Sequence, residues 1–307
     1  MTRGVIEPEQ RSMPLDRAMT ADRDEIKYVV EPERVRTLLH VLSQELVAHR
    51  FSGEGANPLP DAQHYSTTVY FDTPSRTLYR AARDKPEHNA KLRAREYYDL
   101  HSSLTELATS PDQIVRYQPW LFFELKRREG ARTFKHRVRL PKLAVTACFR
   151  DNDFLCSRAR GHASTEQADQ LEESSAERAD RAALAAFCAG LSEPLSPSCV
   201  VNYQRLAFQD GAGALRVTLD LDVSYYVPPR DLWEQQRALV RGSFGPSVAR
   251  LRGCLVEVKQ RAESPAWLAR ALVAAQARRD SFSKFNAASE AIERVALAGQ
   301  ARGAAPT

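Results

Sequence analysis

Polar and apolar side chains alternate in short stretches along most of the 307-residue chain. The first stretch is Arg23-Asp24-Glu25-Ile26-Lys27-Tyr28. As a strand it places Arg23, Glu25 and Lys27 on one face and Ile26 and Tyr28 on the other. The same period-two pattern, helped by β-branched and aromatic runs, predicts eight strands. They fall at about 23–30, 64–71, 90–99, 120–128, 132–140, 199–209, 214–223 and 252–260. Glu129-Gly130 joins the fourth and fifth as a hairpin.

Helical spacing appears between the strands. Val35, Leu38, Leu39, Leu42, Leu46 and Val47 recur on one face after Pro32, predicting a helix over about 32–50. A short helix follows Asp72-Thr73-Pro74 through Tyr79, and a short polar, helical connection covers about 101–118. A polar helical insertion is predicted over about 158–190, and another helix from Pro228 to about 238. An Ala-rich pattern from Pro265 to about 298 gives one or two helices broken near Asp280–Ser283. Residues 52–63 read as a loop, 1–20 as a disordered lead and 299–307 as a tail, leaving one domain over about 21–298.

The polar faces of these strands are densely charged. Lys91, Arg93 and Arg95 alternate in KLRAR, and Glu124, Lys126 and Arg128 in FELKRR. Lys135, Arg137 and Arg139 do so in FKHRVR, Arg216, Asp220 and Asp222 in LRVTLDLD, and Glu257, Lys259 and Arg261 in VEVKQR. Their opposite faces carry Leu92 and Ala94, Phe123 and Leu125, Phe134, Val138 and Leu140, Leu215, Val217, Leu219 and Leu221, and Val256 and Val258. Two architectures fit. One is an open antiparallel sheet with a wet face and a core face. The other is a closed barrel with charges inside and apolar residues outside under helices, where a polyanion relieves the repulsion among so many cations.

Composition narrows the setting. With 43% apolar and 27% charged residues the chain is globular, and its net charge of +5 is concentrated in strands rather than in a tail. That distribution favours a local anion site over coating of nucleic acid. The five cysteines are odd in number and form no CxxC, so neither a disulfide framework nor a zinc site is expected. No apolar run approaches the ~18 residues of a membrane span, and no signal peptide is evident. A cytoplasmic protein is expected, with room for attachment through a membrane-protein partner.

Phosphate chains need donors spaced along them. Arg93 and Arg95 project in parallel, about 6–7 Å apart. Glu25, Glu124, Asp220 and Glu257 among the cations are either ion-pair partners or ligands of a hard divalent ion that bridges to phosphate oxygens. Nucleotide-binding glycine motifs, kinase motifs, histidine clusters and serine elbows are missing from the sequence.

Glu25–Lys27, KLRAR, FFELKRR, Tyr203–Arg205, LRVTLDLD, LVEVK and Phe282–Phe285 (FSKF) occur in an order that resembles the VTC-type polyphosphate polymerase domain. That family belongs to the triphosphate tunnel metalloenzymes, and the resemblance runs from about residue 22 to 290. It implies an α+β fold: a closed eight-stranded antiparallel β-barrel with a charged interior, flanked by helices. It also implies an enzyme that transfers the γ-phosphoryl group of ATP to a growing polyphosphate chain, with Mn2+ or Mg2+. The phosphate-binding set would be Lys27, Arg93, Arg95, Lys126, Arg205 and Arg216, with Ser283 and Lys284 from a helix at one end. Lys135, Arg137 and Lys259 are candidates on the same charged faces. Lys126, Arg93, Arg95 and Glu257 would act directly on the reaction. Glu257 would be the principal metal ligand, and Glu25, Asp220 and Glu124 the further candidates. The regulatory domain and membrane helices of the eukaryotic complex have no counterpart in the sequence, which resembles stand-alone bacterial members. A hydrolase on the same fold and a non-catalytic polyphosphate binder are the alternatives.

Overall fold

A computed structural model describes residues 24–49, 63–98, 120–130, 132–142, 145, 175–232 and 239–303. Its strands are β1 (Asp24–Val30), β2 (Val47–Ala48), β3 (Gln63–Asp72), β4 (His88–Tyr98), β5 (Trp120–Glu129) and β6 (Arg132–Pro141). They continue with β7 (Ser196–Gln209), β8 (Leu215–Tyr226), β9 (Ala249–Arg250), β10 (Cys254–Gln260) and β11 (Arg278–Arg279). The helices are α1 (Pro32–Glu45), α2 (Thr77–Asp84), α3 (Ser175–Ala189), α4 (Ala266–Ala274) and α5 (Lys284–Gly303). All eight predicted strands form. Arg23, the loop over 52–62, the connection over 101–118 and most of the insertion before Ser175 lie outside the described residues.

One antiparallel sheet holds every strand, in the order β11-β1-β10-β8-β7-β3-β4-β5-β6, with β2 on β7 and β9 on β8. Two expectations need correction. Among the described residues the sheet has eleven strands rather than eight, because three two-residue strands add to the eight long ones. It is also not closed: among the described residues no ladder joins β6 to β1. Part of the outer edge of β1 is taken instead by β11, which pairs Arg279 with Tyr28 and Arg278 with Val29. The sheet nevertheless curls until its charged face is concave. Glu25 on β1 lies 3.7 Å from Lys126 on β5, across the gap between strands that are not neighbours.

The convex face is apolar and covered. Val35, Leu38 and Leu42 of α1 and Leu268, Ala271 and Leu272 of α4 bury against Leu206, Phe208, Val217, Leu219, Val256 and Val258. Leu92, Ala94, Leu121, Phe123, Leu125, Val138 and Leu140 enter a second core with α2 and α3. The described part of the polar insertion is amphipathic, burying Leu184 and Cys188, and Asp180 accepts the backbone N–H of Arg137 at 3.2 Å. Helix α2 starts where Asp72 accepts the N–H groups of Thr73, Leu78 and Tyr79 at 2.8, 2.8 and 2.9 Å, satisfying donors the helix itself cannot. Helix α5 closes one end of the concavity, where Phe285 stacks on Tyr70 at 5.0 Å.

Three details depart from simple alternation. Phe134, expected in the apolar core, is 40% exposed. Asp222, expected on the charged face, adopts a left-handed φ of 49° beside a register shift between β7 and β8. It turns outward to Arg241 and Arg250. The helix expected from Pro228 begins as a turn, and 233–238 fall outside the described residues.

Candidate functional site

Alternation along β1, β4, β5, β6, β7, β8 and β10 aims the charged side chains into one cleft of about 1020 Å³. Fourteen lysines and arginines and four carboxylates line it. Of the residues singled out in the sequence, Lys27, Arg93, Arg95, Lys126, Lys135, Arg137, Arg205, Arg216, Lys259, Ser283, Lys284, Glu25 and Glu257 are brought together here. Glu124 and Asp220 sit immediately behind, fully buried.

Glu124 is the hub of one wall. Arg93 donates to its Oε2 at 2.7 Å, with Arg95 at 3.7 Å, while Arg137 and Lys135 approach Oε1 at 3.0 and 3.5 Å. Burial alone would raise this carboxyl, but Arg93, Arg95, Lys135 and Arg137 together hold it well below the usual range. One carboxylate thus gathers four cations and leaves them in excess. Burial, and the surrounding arginines against the pull of Glu124, bring the Lys135 amine down to about 8.

The opposite wall carries more carboxylates. Asp220 accepts two hydrogen bonds from Arg205, at 2.6 and 2.8 Å, and meets the Lys284 amine at 2.5 Å. Lys284 also lies 3.4 Å from Glu257 Oε1, and Arg205 lies 3.7 Å from Glu257 Oε2. Burial opposes ionisation of Glu257, but Lys284, Lys27, Arg205 and Lys259 hold it well below the usual range. Burial and Glu257 likewise push Glu25 up, yet Lys126, Lys259 and Lys27 outweigh them and bring it to about 2.

The carboxylates therefore differ in depth. Glu25 and Glu257 face the cleft, whereas Asp220 and Glu124 are internal counter-ions. Among the described residues no group of three or more His, Cys, Asp or Glu converges as a ready-made metal cage. One or two cleft-facing carboxylates completed by phosphate oxygens is the ligand set that a magnesium-like ion takes. Glu257 and Glu25 fit that description.

Lys91, Tyr203 and His64, outside the expected phosphate-binding set, also line the cleft. The Lys91 amine donates to Ser283 Oγ at 2.8 Å. Burial, with Lys27, Lys126 and Arg93 around it, lowers that amine to about 7. Tyr203, buried on β7, accepts a hydrogen bond from Arg95 and lies under the Lys284 amine at 4.8 Å. Burial raises its hydroxyl, but Arg205 and Arg95 bring it down to about 8. Burial first, then Arg205, lowers His64 to about 3, so its imidazole is neutral. The period-two rule places Lys91 on the charged face with Arg93 but does not assign it a contact, and Tyr203 stands two residues before Arg205.

Three comparisons bear on this arrangement. The family model of the VTC domain matches residues 22–292, so the chain belongs to the VTC domain family. No match was found among curated proteins. Among solved structures, a "putative adenylate cyclase" from Vibrio parahaemolyticus is similar at 13% identity, with 86% of this chain and 95% of that one covered and a TM-score of 0.37. A "putative adenylate cyclase" from Bacillus halodurans is similar at 15% identity, with 83% and 88% covered and the same TM-score. At that identity and score neither decides fold or activity.

Proposed function

We propose that the protein is an ATP-dependent polyphosphate polymerase that works in the cationic cleft, transferring the γ-phosphoryl group of ATP to the end of a polyphosphate chain and releasing ADP. The observation that carries the proposal is the wall built on Glu124. A neutral or balanced pocket would bind phosphate weakly, whereas this wall presents Arg93, Arg95, Lys135 and Arg137 around the one buried carboxylate of Glu124. Membership of the VTC domain family supports chemistry on phosphoanhydrides.

Phosphoryl transfer asks mainly for positioning and charge neutralisation. Arg93, Arg95, Arg205 and Arg216 would hold non-bridging β- and γ-oxygens, Arg93 and Arg205 with forks already set by Glu124 and Asp220. Lys126 would face the group in transfer. Lys27, Lys135, Arg137, Lys259 and Ser283 would track the remaining phosphates. Glu257, with Glu25 beside it, would hold Mn2+ or Mg2+, which neutralises charge on the triphosphate. The acceptor oxygen is already anionic, so no general base is required. Nucleic acid does not suit a recessed site of this kind. Among the described residues no helix is long and apolar enough to cross a membrane, and a membrane-protein partner for the product stays part of the proposal.

The test is incubation of the purified chain with ATP and Mn2+, with products resolved by phosphorus NMR and by a gel stained for polyphosphate. Long chains are expected. Glu257→Gln should cut turnover by about a thousandfold or more, as loss of several kcal/mol of charge stabilisation requires. Lys126→Ala should cut it by about a hundredfold. Orthophosphate without chains would replace the polymerase with a hydrolase; tight polyphosphate binding with no turnover would leave a binding module.

A further inference from the structure

Lys284 stands between two carboxylates, where a cation belongs. Its amine lies 2.5 Å from Asp220 Oδ2 and 3.4 Å from Glu257 Oε1. The backbone beneath it is pinned. Phe285 is stacked on Tyr70, and Ser283 Oγ accepts hydrogen bonds from Lys91 and from the backbone N–H of Asn286. The four-carbon side chain keeps its freedom, and the space in front of it is the cleft.

The two carboxylates depend on this amine unequally. Asp220 is already gripped by the Arg205 fork and stays satisfied without it. Glu257 has Arg205 at 3.7 Å as its next ion-pair contact, with Lys27 and Lys259 acting on it from further off. If Lys284 swings away, Asp220 keeps its two hydrogen bonds, whereas Glu257 loses its nearest cation and turns a less compensated charge toward the cleft. Glu257 is also the residue assigned above to the metal. An ammonium and a divalent ion on the same carboxylate repel each other strongly in a recessed site.

We infer that Lys284 is a tethered stand-in for the divalent ion, holding Glu257 in the metal-free chain and moving onto phosphate oxygens when the metal arrives with a triphosphate. The inference rests on the metal assignment of Glu257. It makes metal and triphosphate binding mutually dependent. Metal alone must evict a cation that has nowhere to go, whereas triphosphate gives that cation a partner. Linkage makes the coupling reciprocal.

The experiment measures Mn2+ binding to the full chain without nucleotide, by loss of the free-ion electron paramagnetic resonance signal. The shift in melting temperature on adding Mn2+ is the second readout. Lys284→Met, which removes the charge and keeps the bulk, should bind Mn2+ about tenfold more tightly than the unaltered chain. It should also gain thermal stability from Mn2+ that the unaltered chain does not. Lys284→Gln should follow the same direction and serves if Lys284→Met does not fold. Lys284→Arg, keeping the charge, should not tighten binding. If neither neutral variant tightens binding while Glu257→Gln abolishes it, displacement is wrong and the metal assignment stands. If Glu257→Gln leaves Mn2+ binding unchanged, the metal assignment fails and the inference falls with it.

Discussion

The two walls of the cleft are built from the same alternating strands, yet they solve opposite electrostatic problems. On β4, β5 and β6, Glu124 draws in Arg93, Arg95, Lys135 and Arg137 and still leaves them in large excess. On β1, β7, β8, β10 and α5, Glu25, Asp220 and Glu257 stand among Lys27, Lys259, Arg205, Arg216 and Lys284, three carboxylates to five cations. The first wall is preset for an anion and needs only one buried carboxylate to hold its cations in place. The second is preset for an exchange of cations. A phosphate chain lying between them would meet fixed positive charge on one side and adjustable charge on the other.

The sharpest way to break this contrast is Glu124→Gln. Removing one partner from a buried ion cluster typically costs about 3–5 kcal/mol, because the remaining charges stay buried and uncompensated. Urea unfolding should show that loss at neutral pH, and added pyrophosphate should restore part of it by supplying the missing negative charge. A loss below about 1 kcal/mol would mean that the four cations do not depend on Glu124.

A smaller effect concerns Lys91, at the junction of the two walls. Its amine is lowered to about 7, so in the empty cleft it is half protonated near neutrality. A bound phosphate favours the charged form and raises that value. Nucleotide binding should therefore take up protons from pH 7 upward, and affinity should fall as pH rises through 7, by up to about tenfold. Calorimetry in buffers of different ionisation heat measures the uptake; Lys91→Met should remove most of it at pH 7, leaving the smaller uptake of Lys135 nearer pH 8. The same shift makes the empty chain more stable as pH rises from about 7 toward the ordinary lysine value, because the unfolded chain then binds more protons.

The smallest effect is the control. Asp222→Asn alters a carboxylate on the outer face, where it meets Arg241 and Arg250, with Asp222 itself 45% exposed. Stability should change by less than about 1 kcal/mol and turnover should not change. A large loss of turnover would return Asp222 to the cleft.

Much of this could be read in the sequence, and the reasons for the misses are physical. Period-two alternation identified all eight long strands and the face that each of KLRAR, FELKRR and VEVKQR turns inward. It missed β2, β9 and β11, because two residues carry no period. It misassigned Asp222, because a left-handed residue breaks the alternation that the argument assumes. It misassigned Phe134, because apolar identity does not guarantee a covering helix. Alternation also tells which face a side chain takes but not how deep it sits. Glu124 and Asp220 were therefore indistinguishable from Glu25 and Glu257, although the first pair is sealed and the second faces the cleft. Lys91 and Tyr203 obey the rule, but alternation carries no sign that Lys91 meets Ser283 or that Tyr203 meets Arg95.

The seam between β1 and β5 has a mechanical consequence. Backbone ladders fix the girth of a closed barrel, much as hoops fix a cask. Here Glu25–Lys126, at 3.7 Å, spans the gap as a clasp made of charge, with Lys126 38% exposed to solvent. Such a clasp loosens with ionic strength and with any anion that competes for the lysine. A phosphate chain lying beside Lys126 would compete with Glu25 for this contact, so the ion pair across the gap would weaken where the cleft is occupied.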